Sequence, residues 1–202
     1  MDQVEGGIQI IGLAFILIVL GVAIAKLVFG LRQPAGRSVG RSTSWLRSPT
    51  FYIFASLIFF GFCALLWLPL PVTFPLPWHG IMLAGGGILL FGGLCLYAWG
   101  MASLGKMFSG STSLGVQLFD HHRLITIGPY KYVRHPMYLG IMVAAFGGLF
   151  LYHNWTLLFV ALGFLGLPLR ARREEIALSA EFGQEWQEYC RSVPAFFPRK
   201  LK

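Results

Sequence analysis

An apolar run near the N-terminus, Ile8 to Phe29, limits what this chain can become, because Lys26 is its only charged residue. As an α-helix the run would extend about 33 Å at 1.5 Å per residue, which exceeds the roughly 30 Å thickness of a bilayer's hydrocarbon core. Acidic residues precede the run, and it is longer than the apolar part of a signal peptide. We therefore predict a membrane-spanning helix that is retained in the mature protein.

Four more apolar runs follow. They extend from Thr50 to Leu70, from about Trp78 to Leu104, from Pro136 to Tyr152 and from Trp155 to Leu169. The last two are short, and the polar pair His153–Asn154 between them predicts a tight hairpin. Glycines in the third run are interpreted as packing positions, since small residues allow membrane helices to approach closely. The predicted fold is all-α, a polytopic membrane helical bundle with about five transmembrane helices and a cytoplasmic C-terminal helix.

Composition excludes other classes of protein. Hydrophobic residues make up 56% of the chain and charged residues only 12%, about half the roughly 25% that is usual in soluble proteins. The 18 Phe, 6 Trp and 7 Tyr exclude a disordered chain. Three widely spaced cysteines without a CxxC pair predict neither a metal site nor a disulfide framework.

The net charge of +8 has a topological explanation. With the N-terminus outside and five spans, segments 1–7, 71–77 and 152–154 lie outside and contain no Lys or Arg. Every basic residue except Lys26 then lies inside, and Lys26 is at the inner end of its helix. This is the positive-inside pattern of membrane proteins. Nucleic-acid binding is therefore not needed to explain the charge.

Two long polar segments, 105–134 and 170–202, share the predicted cytoplasmic side. We interpret the chain as one compact domain in two parts, with three transmembrane helices in residues 1–103 and a cofactor-binding loop, a transmembrane hairpin and a tail in residues 104–202. Neither polar segment could hold a doubly wound nucleotide-binding domain, which needs several βαβ units of about 30 residues each. A small-molecule site would therefore lie between the membrane helices and these two segments.

The first polar segment ends in histidine, arginine and tyrosine residues around a Gly-Pro turn. Pro136 suits the first turn of the fourth helix, where its missing N–H has no cost, and this places His135 near the N-cap. Helix N-termini favour anions such as a ligand carboxylate or phosphate. These residues are therefore candidates for ligand binding.

The second polar segment begins with Arg170 and Glu174, which are four residues apart and share one helix face just beyond the fifth span. Gly183 is expected to kink this helix, and Ser192–Pro194 to end it. An apolar stripe is predicted on the helix at Leu178, Phe182, Trp186 and Tyr189.

Each feature alone has an ordinary structural explanation. Juxtamembrane arginines commonly anchor lipid headgroups, surface i,i+4 ion pairs are weak, and interfacial tyrosine and tryptophan form the aromatic belt. Together they would bring histidine, tyrosine, arginine and glutamate to one face at headgroup depth. That combination favours a binding site.

Several separate elements resemble the isoprenylcysteine carboxyl methyltransferase family. The stretch Gly128 to Gly140 matches the family motif GxYxxxRHPxYxG, of which phospholipid N-methyltransferases share a looser form. His122 to Ile125 resembles the family's H-x-L-[IV] element. The resemblance covers about residues 104–198. Three downstream elements keep the family's order, namely Glu174–Glu175, Phe182 to Tyr189, and Val193–Pro194.

This resemblance implies an integral membrane methyltransferase that uses S-adenosylmethionine, with no metal, and binds it at the cytoplasmic face. Arg170 would be catalytic and face the reacting group of the substrate, and Gln117 is a candidate for one further polar contact. The residues that it implies for the cofactor pocket are His122, Arg123, Leu124, Ile125, Tyr130, His135, Pro136, Met137, Tyr138 and Glu174.

The chemistry of these residues agrees with such a ligand. Glu174 can pair with the ammonium, the helix N-terminus at His135 suits the carboxylate, and tyrosine rings and Leu124 can pack near the adenine or the sulfonium. The acceptor would be a lipid or lipidated molecule. A prenylcysteine-like carboxylate could be held by Arg170 in a planar fork, whereas a phospholipid amine would need a base, such as His135 or Glu175.

Two other functions remain open at this point. Sterol reductases, which use NADPH, carry a similar RHPxYxG motif, although they are usually much longer. A non-catalytic membrane protein whose basic tail binds anionic lipid would also explain the arginines. Binding of S-adenosylmethionine distinguishes the methyltransferase from both.

Overall fold

The computed structural model describes residues 2–31, 49–72, 74–105 and 123–197. Within these ranges a short 3₁₀ helix, Gly128–Lys131, precedes the fourth α-helix. The same ranges contain no β-strand apart from one isolated bridge, so the predicted all-α class is confirmed. The α-helices are α1 (Asp2–Leu31), α2 (Pro49–Leu65), α3 (Leu76–Leu104), α4 (Pro136–Tyr152), α5 (Trp155–Phe164) and α6 (Leu167–Ser192).

Three helical segments in the described residues are long and apolar enough to cross a membrane. They are Gln3–Lys26, Pro77–Leu104 and Trp155–Ser192, the last of which joins α5 to α6. Its apolar part ends before Arg170, where the charged residues of α6 begin. Two further apolar helices, Ile53–Leu65 and Pro136–Tyr152, are shorter.

Large apolar side chains cover the outside of these helices. Ile10 of α1, Ile58 of α2 and Ile88 of α3 are each at least 70% exposed. Soluble monomers rarely expose contiguous apolar surface of this extent. The exterior is therefore suited to lipid, which supports the prediction of a membrane protein.

Helix α1 extends beyond its predicted run at both ends, from Asp2 to Leu31, whereas two other helices end before theirs. Helix α2 ends at Leu65 and α5 at Phe164, each five residues before the end of the apolar run. In both cases a proline follows four residues later, at Pro69 and Pro168. A proline ring clashes with the carbonyl oxygen four residues before it, so hydrophobicity continues past the point at which the helix must stop. By contrast, α4 has the predicted bounds.

Helices α3 and α4 are antiparallel and pack backbone to backbone. A Cβ on Gly93 would lie 2.5 Å from the carbonyl oxygen of Gly140, and a Cβ on Gly86 would lie 2.9 Å from that of Gly147. This confirms Gly86 and Gly93 as packing positions, whereas a Cβ on Gly85, Gly87 or Gly92 would meet nothing within 4 Å. Helix α1 completes the core, whose buried members are Val19, Leu90, Leu94, Ala144 and Leu151.

A tight turn connects α4 to α5, as predicted. His153 adopts φ 47°, and the side chain of Asn154 caps α5 by accepting a hydrogen bond from the Leu157 N–H at 2.9 Å. The segment after α2 is bonded to this turn, since the N–H of Leu70 donates to the carbonyl oxygen of His153 at 2.7 Å. The α4–α5 turn is therefore fixed at one end of the bundle.

The opposite end of the bundle positions the predicted site. There the Lys26 Nζ atom donates to the carbonyl oxygen of Met101 at 3.0 Å, which ties α1 to α3. Gly100 lies against Met137 in the first turn of α4. The start of α4 is thus held against the end of α3.

Candidate active site

The turn before α4 is fixed between α3 and α6. Gly128 has φ 62°, and a Cβ there would overlap the hydroxyl group of Ser103 on α3. A positive φ and a close contact both require glycine. The 3₁₀ helix that follows buries Pro129 and Tyr130, and the Tyr189 hydroxyl of α6 donates to the carbonyl oxygen of Tyr130 at 2.6 Å. These contacts set the direction in which the chain enters α4.

His135 is the N-cap residue of α4, as predicted, and is only 7% exposed. Its ring stacks with those of Tyr138, at a centroid distance of 5.7 Å, and Phe196, at 5.5 Å. Its Nε2 atom lies 3.0 Å from Oε1 of Glu175, and its Nδ1 atom lies 4.0 Å from Oε2 of Glu174. Each ring nitrogen therefore faces a different carboxylate of α6.

The hydroxyl group of Tyr138 joins two side chains of α6. It donates to Oε1 of Glu174 at 2.5 Å and accepts a hydrogen bond from Nε of Arg170 at 3.0 Å. Arg170 Nε is also 3.7 Å from Oε1 of Glu174, so the predicted sharing of one helix face is confirmed. Burial raises the pKa of Glu174 above its ordinary value, although Tyr138, His135 and Arg170 act in the opposite direction.

The adjacent Glu175 has different partners. Its Oε1 atom accepts from Nε and Nη2 of Arg134 at 3.0 and 2.8 Å, and the same oxygen faces His135. The hydrogen bonds from His135 and Arg134 lower the pKa of Glu175. The two neighbouring glutamates thus have pKa values shifted in opposite directions.

The residues that follow α6 form one wall of this cluster. The Nη1 atom of Arg134 donates to the carbonyl oxygen of Val193 at 2.5 Å. The backbone N–H groups of Arg134 and His135 donate to the carbonyl oxygens of Pro194 and Ala195 at 2.9 and 3.0 Å. The two N–H groups that immediately precede α4 are therefore engaged by protein carbonyls.

The predicted apolar stripe of α6 packs as one cluster. Trp186, Tyr189 and Val193 are its buried residues, with Leu178 and Phe182 packed against them. The expected kink is present at Gly183, which has φ 53°, and α6 ends at Ser192 as expected. The other residues that pack on the cluster are Leu124 and Cys190.

The structure brings four of the predicted site residues into mutual contact, His135, Tyr138, Arg170 and Glu174. Tyr130 is buried beside them. Its burial raises its pKa, and Tyr138 and Glu174 contribute to the same shift.

The other predicted residues lie around this group or outside the described ranges. Pro136 is buried and Met137 contacts Gly100 of α3, while Leu124 belongs to the α6 cluster. Arg123 is exposed and Ile125 is half-buried. His122 and Gln117 lie outside the described residues.

Arg134 and Phe196 were not predicted as site residues, yet both contact His135 or its partners. A signal for Arg134 was present in the sequence. Glu174 and Glu175 are adjacent, and consecutive residues of a helix point about 100° apart because a turn contains 3.6 residues. Glu175 therefore points away from the partners of Glu174 and could pair with a different cation. Arg134, which is adjacent to His135 in the sequence, was a candidate for that cation.

The cluster combines a carboxylate, an imidazole, a phenol and a guanidinium group at the end of the apolar helices. In the part of the chain that the structure describes, no group of three or more His, Cys, Asp or Glu side chains could hold a metal ion. These groups suit a charged organic ligand, because they can pair with both an ammonium and a carboxylate.

A comparison with protein-family profiles matches this region. Residues 86–180 match the profile of the isoprenylcysteine carboxyl methyltransferase (ICMT) family. The chain is 34% identical over 113 residues to a protein-S-isoprenylcysteine O-methyltransferase of Schizosaccharomyces pombe. The aligned residues cover 50% of this chain and 48% of that protein. The chain is 35% identical over 81 residues to a probable enzyme of the same name from Oryza sativa subsp. indica, covering 39% and 42%.

A relative with a different name matches equally well. The nickel-cobalt-cadmium resistance protein NccN of Alcaligenes xylosoxydans xylosoxydans is 36% identical over 101 residues, covering 49% of this chain and 46% of that protein. The chain thus spans about half the length of the relatives that it matches. Residues 86–180, which extend from within α3 into α6, are therefore similar to the isoprenylcysteine carboxyl methyltransferase family, and some of these relatives are named isoprenylcysteine methyltransferases.

Proposed function

We propose that this protein is an integral membrane methyltransferase that transfers a methyl group from S-adenosylmethionine to a lipid or lipidated acceptor. The observation that carries the proposal is that Arg170 and Glu174 both form hydrogen bonds with the hydroxyl group of Tyr138. These residues lie within the stretch that matches the family. A prenylcysteine-like carboxylate is the acceptor that this arrangement favours.

The chemistry of the cluster fits S-adenosylmethionine. Glu174 can pair with its ammonium, and Oε2 of that glutamate and Nδ1 of His135 lie 4.0 Å apart, so a donor group could contact both. The aromatic faces of Tyr138 and Tyr130 suit a cationic centre. When bound, the cofactor supplies a methyl group that its sulfonium has already activated. We propose that the pocket is completed by His122, Arg123, Leu124, Ile125, Pro136 and Met137.

Arg170 has the properties needed to hold a carboxylate acceptor. Its guanidinium group is planar, permanently charged and presents its donors as a fork. A hydrogen bond of 3.0 Å from Nε of Arg170 to the Tyr138 hydroxyl group orients that fork. A carboxylate is already deprotonated at neutral pH, so the transfer requires alignment and exclusion of water rather than a base.

An amine acceptor is less well supported by the same contacts. It would need a base to remove its proton, and Glu175 and His135 are the candidates. Glu175 is bound by Arg134, and its oxygen also faces His135. Because these contacts favour the ionised Glu175 over its protonated form, it is a poor proton acceptor.

We further propose that the site opens to the cytoplasm and that the N-terminus lies outside. The positive-inside distribution supports this orientation, and the site lies at the same end of the bundle as Lys26. Glu5, His79 and His153 lie at the other end. The lipid chain of the acceptor would approach sideways from the bilayer, and the cofactor from the cytoplasm.

Binding of S-adenosylmethionine to the purified full chain in detergent or nanodiscs tests the proposal. We expect binding by the wild type, and loss of binding in Glu174→Ala because the ammonium would lose its carboxylate partner. Glu181→Ala changes an exposed glutamate of the same helix and should bind as the wild type does. Wild-type protein that binds no S-adenosylmethionine but is protected by NADPH against thermal unfolding would contradict the proposal and favour a reductase.

The acceptor is identified by methyl transfer from radiolabelled S-adenosylmethionine into total membranes of the host. A carboxylate acceptor yields an ester, so the label should be released by mild base. Label that resists base would indicate an amine acceptor and would contradict the preference for a carboxylate.

A further inference from the structure

A single oxygen atom of Glu175 receives three hydrogen-bond contacts. Oε1 accepts from Nε and Nη2 of Arg134 and lies 3.0 Å from Nε2 of His135. Arg134 is itself fixed, because its Nη1 atom donates to the carbonyl oxygen of Val193 and its guanidinium carbon lies 5.9 Å from the centre of the Trp186 ring. Two of the three contacts to this oxygen therefore come from Arg134, which does not belong to the proposed cofactor pocket.

The contact has a consequence for the proton on His135. An ionised carboxylate can only accept hydrogen bonds, so Nε2 of His135 must carry its hydrogen towards Glu175. In a neutral imidazole the other nitrogen is then an acceptor. That nitrogen, Nδ1, lies 4.0 Å from Oε2 of Glu174.

The ring of His135 is also restrained from turning over. Tyr138 stacks on one side with an interplanar angle of 10°, and Phe196 stacks at 28°. The side chain of His135 is 6% exposed, which leaves little room for a second orientation. For the neutral ring, the choice of tautomer is then the remaining variable, and the contact with Glu175 determines it.

We propose that Glu175, held by Arg134, is a positioning residue that fixes the Nε2–H tautomer of His135, so that Nδ1 and Glu174 present two acceptors to the ammonium or a hydroxyl group of the ligand. This inference rests on the proposed function for the identity of the ligand. The effect on His135 belongs to the protein alone and can be measured without any ligand.

The first test is ¹⁵N NMR of histidine-labelled full-length protein in detergent without S-adenosylmethionine, with His135→Gln used to assign the signals. We expect the Nε2–H tautomer of His135 in the wild type and in Glu175→Gln, whose amide oxygen still accepts. Glu175→Met has a similar length and no comparable acceptor, so both tautomers should be populated. An Nδ1–H tautomer in the wild type, or an unchanged tautomer in Glu175→Met, would overturn the proposal. An Nδ1–H tautomer in the wild type would overturn the proposal even if the methionine variant does not fold.

The second test is the affinity for S-adenosylmethionine, with thermal unfolding as the check on folding. We expect about tenfold weaker binding in Glu175→Met, and recovery to within about threefold of the wild type in Glu175→Gln, which keeps the hydrogen bond. Equal losses in two folded variants would show that charge, not positioning, is responsible and would overturn the inference.

A matched control exists at the opposite end of the bundle. Glu5 and His79 form another carboxylate–imidazole pair, at 2.9 Å, so Glu5→Gln should leave the affinity unchanged. The two proposals fail in different ways. If the wild type binds no S-adenosylmethionine, the proposed function fails while the NMR result still stands. If it binds and both Glu175 variants bind equally well, the positioning role fails and the function stands.

Discussion

The Nε–H group of Arg170 points at the hydroxyl oxygen of Tyr138, 3.0 Å away, although the two residues lie on different helices. The same hydroxyl donates to Glu174, one turn further along α6 from Arg170. One tyrosine of α4 therefore sets the positions of a cation and an anion on α6. In the proposed reaction these two groups would contact the acceptor and the cofactor.

Replacement of Tyr138 by phenylalanine should uncouple these two groups. The ring that stacks on His135 remains, but Glu174 loses a donor in a largely buried position. An unsatisfied buried polar group costs about 1–3 kcal/mol, so we expect a lower free energy of unfolding and about tenfold weaker binding of S-adenosylmethionine. Calorimetry measures the affinity for S-adenosylmethionine, and thermal unfolding measures the loss of stability. Tyr132→Phe, at a residue 57% exposed, should match the wild type, and wild-type behaviour of Tyr138→Phe would contradict the role of the hydroxyl.

Arg170→Lys should impair methyl transfer more than cofactor binding. Lysine keeps the charge but has no planar fork, and misplacement of a reacting group by about 1 Å can reduce the rate about 100-fold. We expect a loss of that order in kcat/KM for the acceptor, with the affinity for S-adenosylmethionine changed by less than about threefold. Arg172→Lys, at an exposed position of the same helix, is the control. A parallel loss of cofactor binding would assign Arg170 to the cofactor instead.

Binding of S-adenosylmethionine should weaken as the solution is acidified. Burial raises the pKa of Glu174 in the free protein, whereas a bound ammonium favours the carboxylate, so binding releases a proton. Below the raised pKa the affinity should therefore fall by up to about tenfold per pH unit. Dissociation constants measured between pH 5 and 8 check this, and Glu174→Gln should bind weakly with a smaller dependence on pH. Tighter binding at low pH would refute the pairing of Glu174 with the ammonium.

Gly93→Ala should destabilise the protein, because its Cβ would lie 2.5 Å from the Gly140 carbonyl oxygen and the Ala144 backbone nitrogen. Overpacking of this kind typically costs about 1–3 kcal/mol. Gly92→Ala adds the same atom one residue earlier, where nothing lies within 4 Å, and alanine is the better helix former by about 1 kcal/mol. Thermal unfolding in one detergent compares the two. A Gly93→Ala protein as stable as Gly92→Ala would show that α3 and α4 can separate without cost.

The fold could be predicted from the sequence where one physical rule acted alone. Apolar runs indicated the helices, and Pro136 and His153 mark the ends of α4 as predicted. The ends of α2 and α5 were predicted wrongly because hydrophobicity continues to Leu70 and Leu169, while Pro69 and Pro168 stop the helices earlier. Where the two rules conflict, the backbone geometry of proline decides.

The site was predictable only as far as local spacing reaches. Arg170 and Glu174 share a helix face because they are one turn apart, and this spacing can be read directly from the sequence. The pairing of Arg134 with Glu175 joins residues 41 positions apart and depends on how α4 meets α6. Leu124, predicted to pack near the adenine or the sulfonium, also packs on the cluster at the end of α6, which spacing along the chain does not indicate. The predicted pocket roles of these residues stay predictions until ligand binding is measured.

The glycine contacts between α3 and α4 also have a mechanical meaning. Sliding α4 along α3 by a single residue would bring other side chains into places where only a hydrogen atom fits at present, at Gly86, Gly93, Gly140 and Gly147. These contacts therefore hold the two helices in one register along their interface. His135 and Tyr138 lie at one end of this helix pair, so we expect that a single methyl group added at one of these glycine contacts would shift the residues of the proposed site.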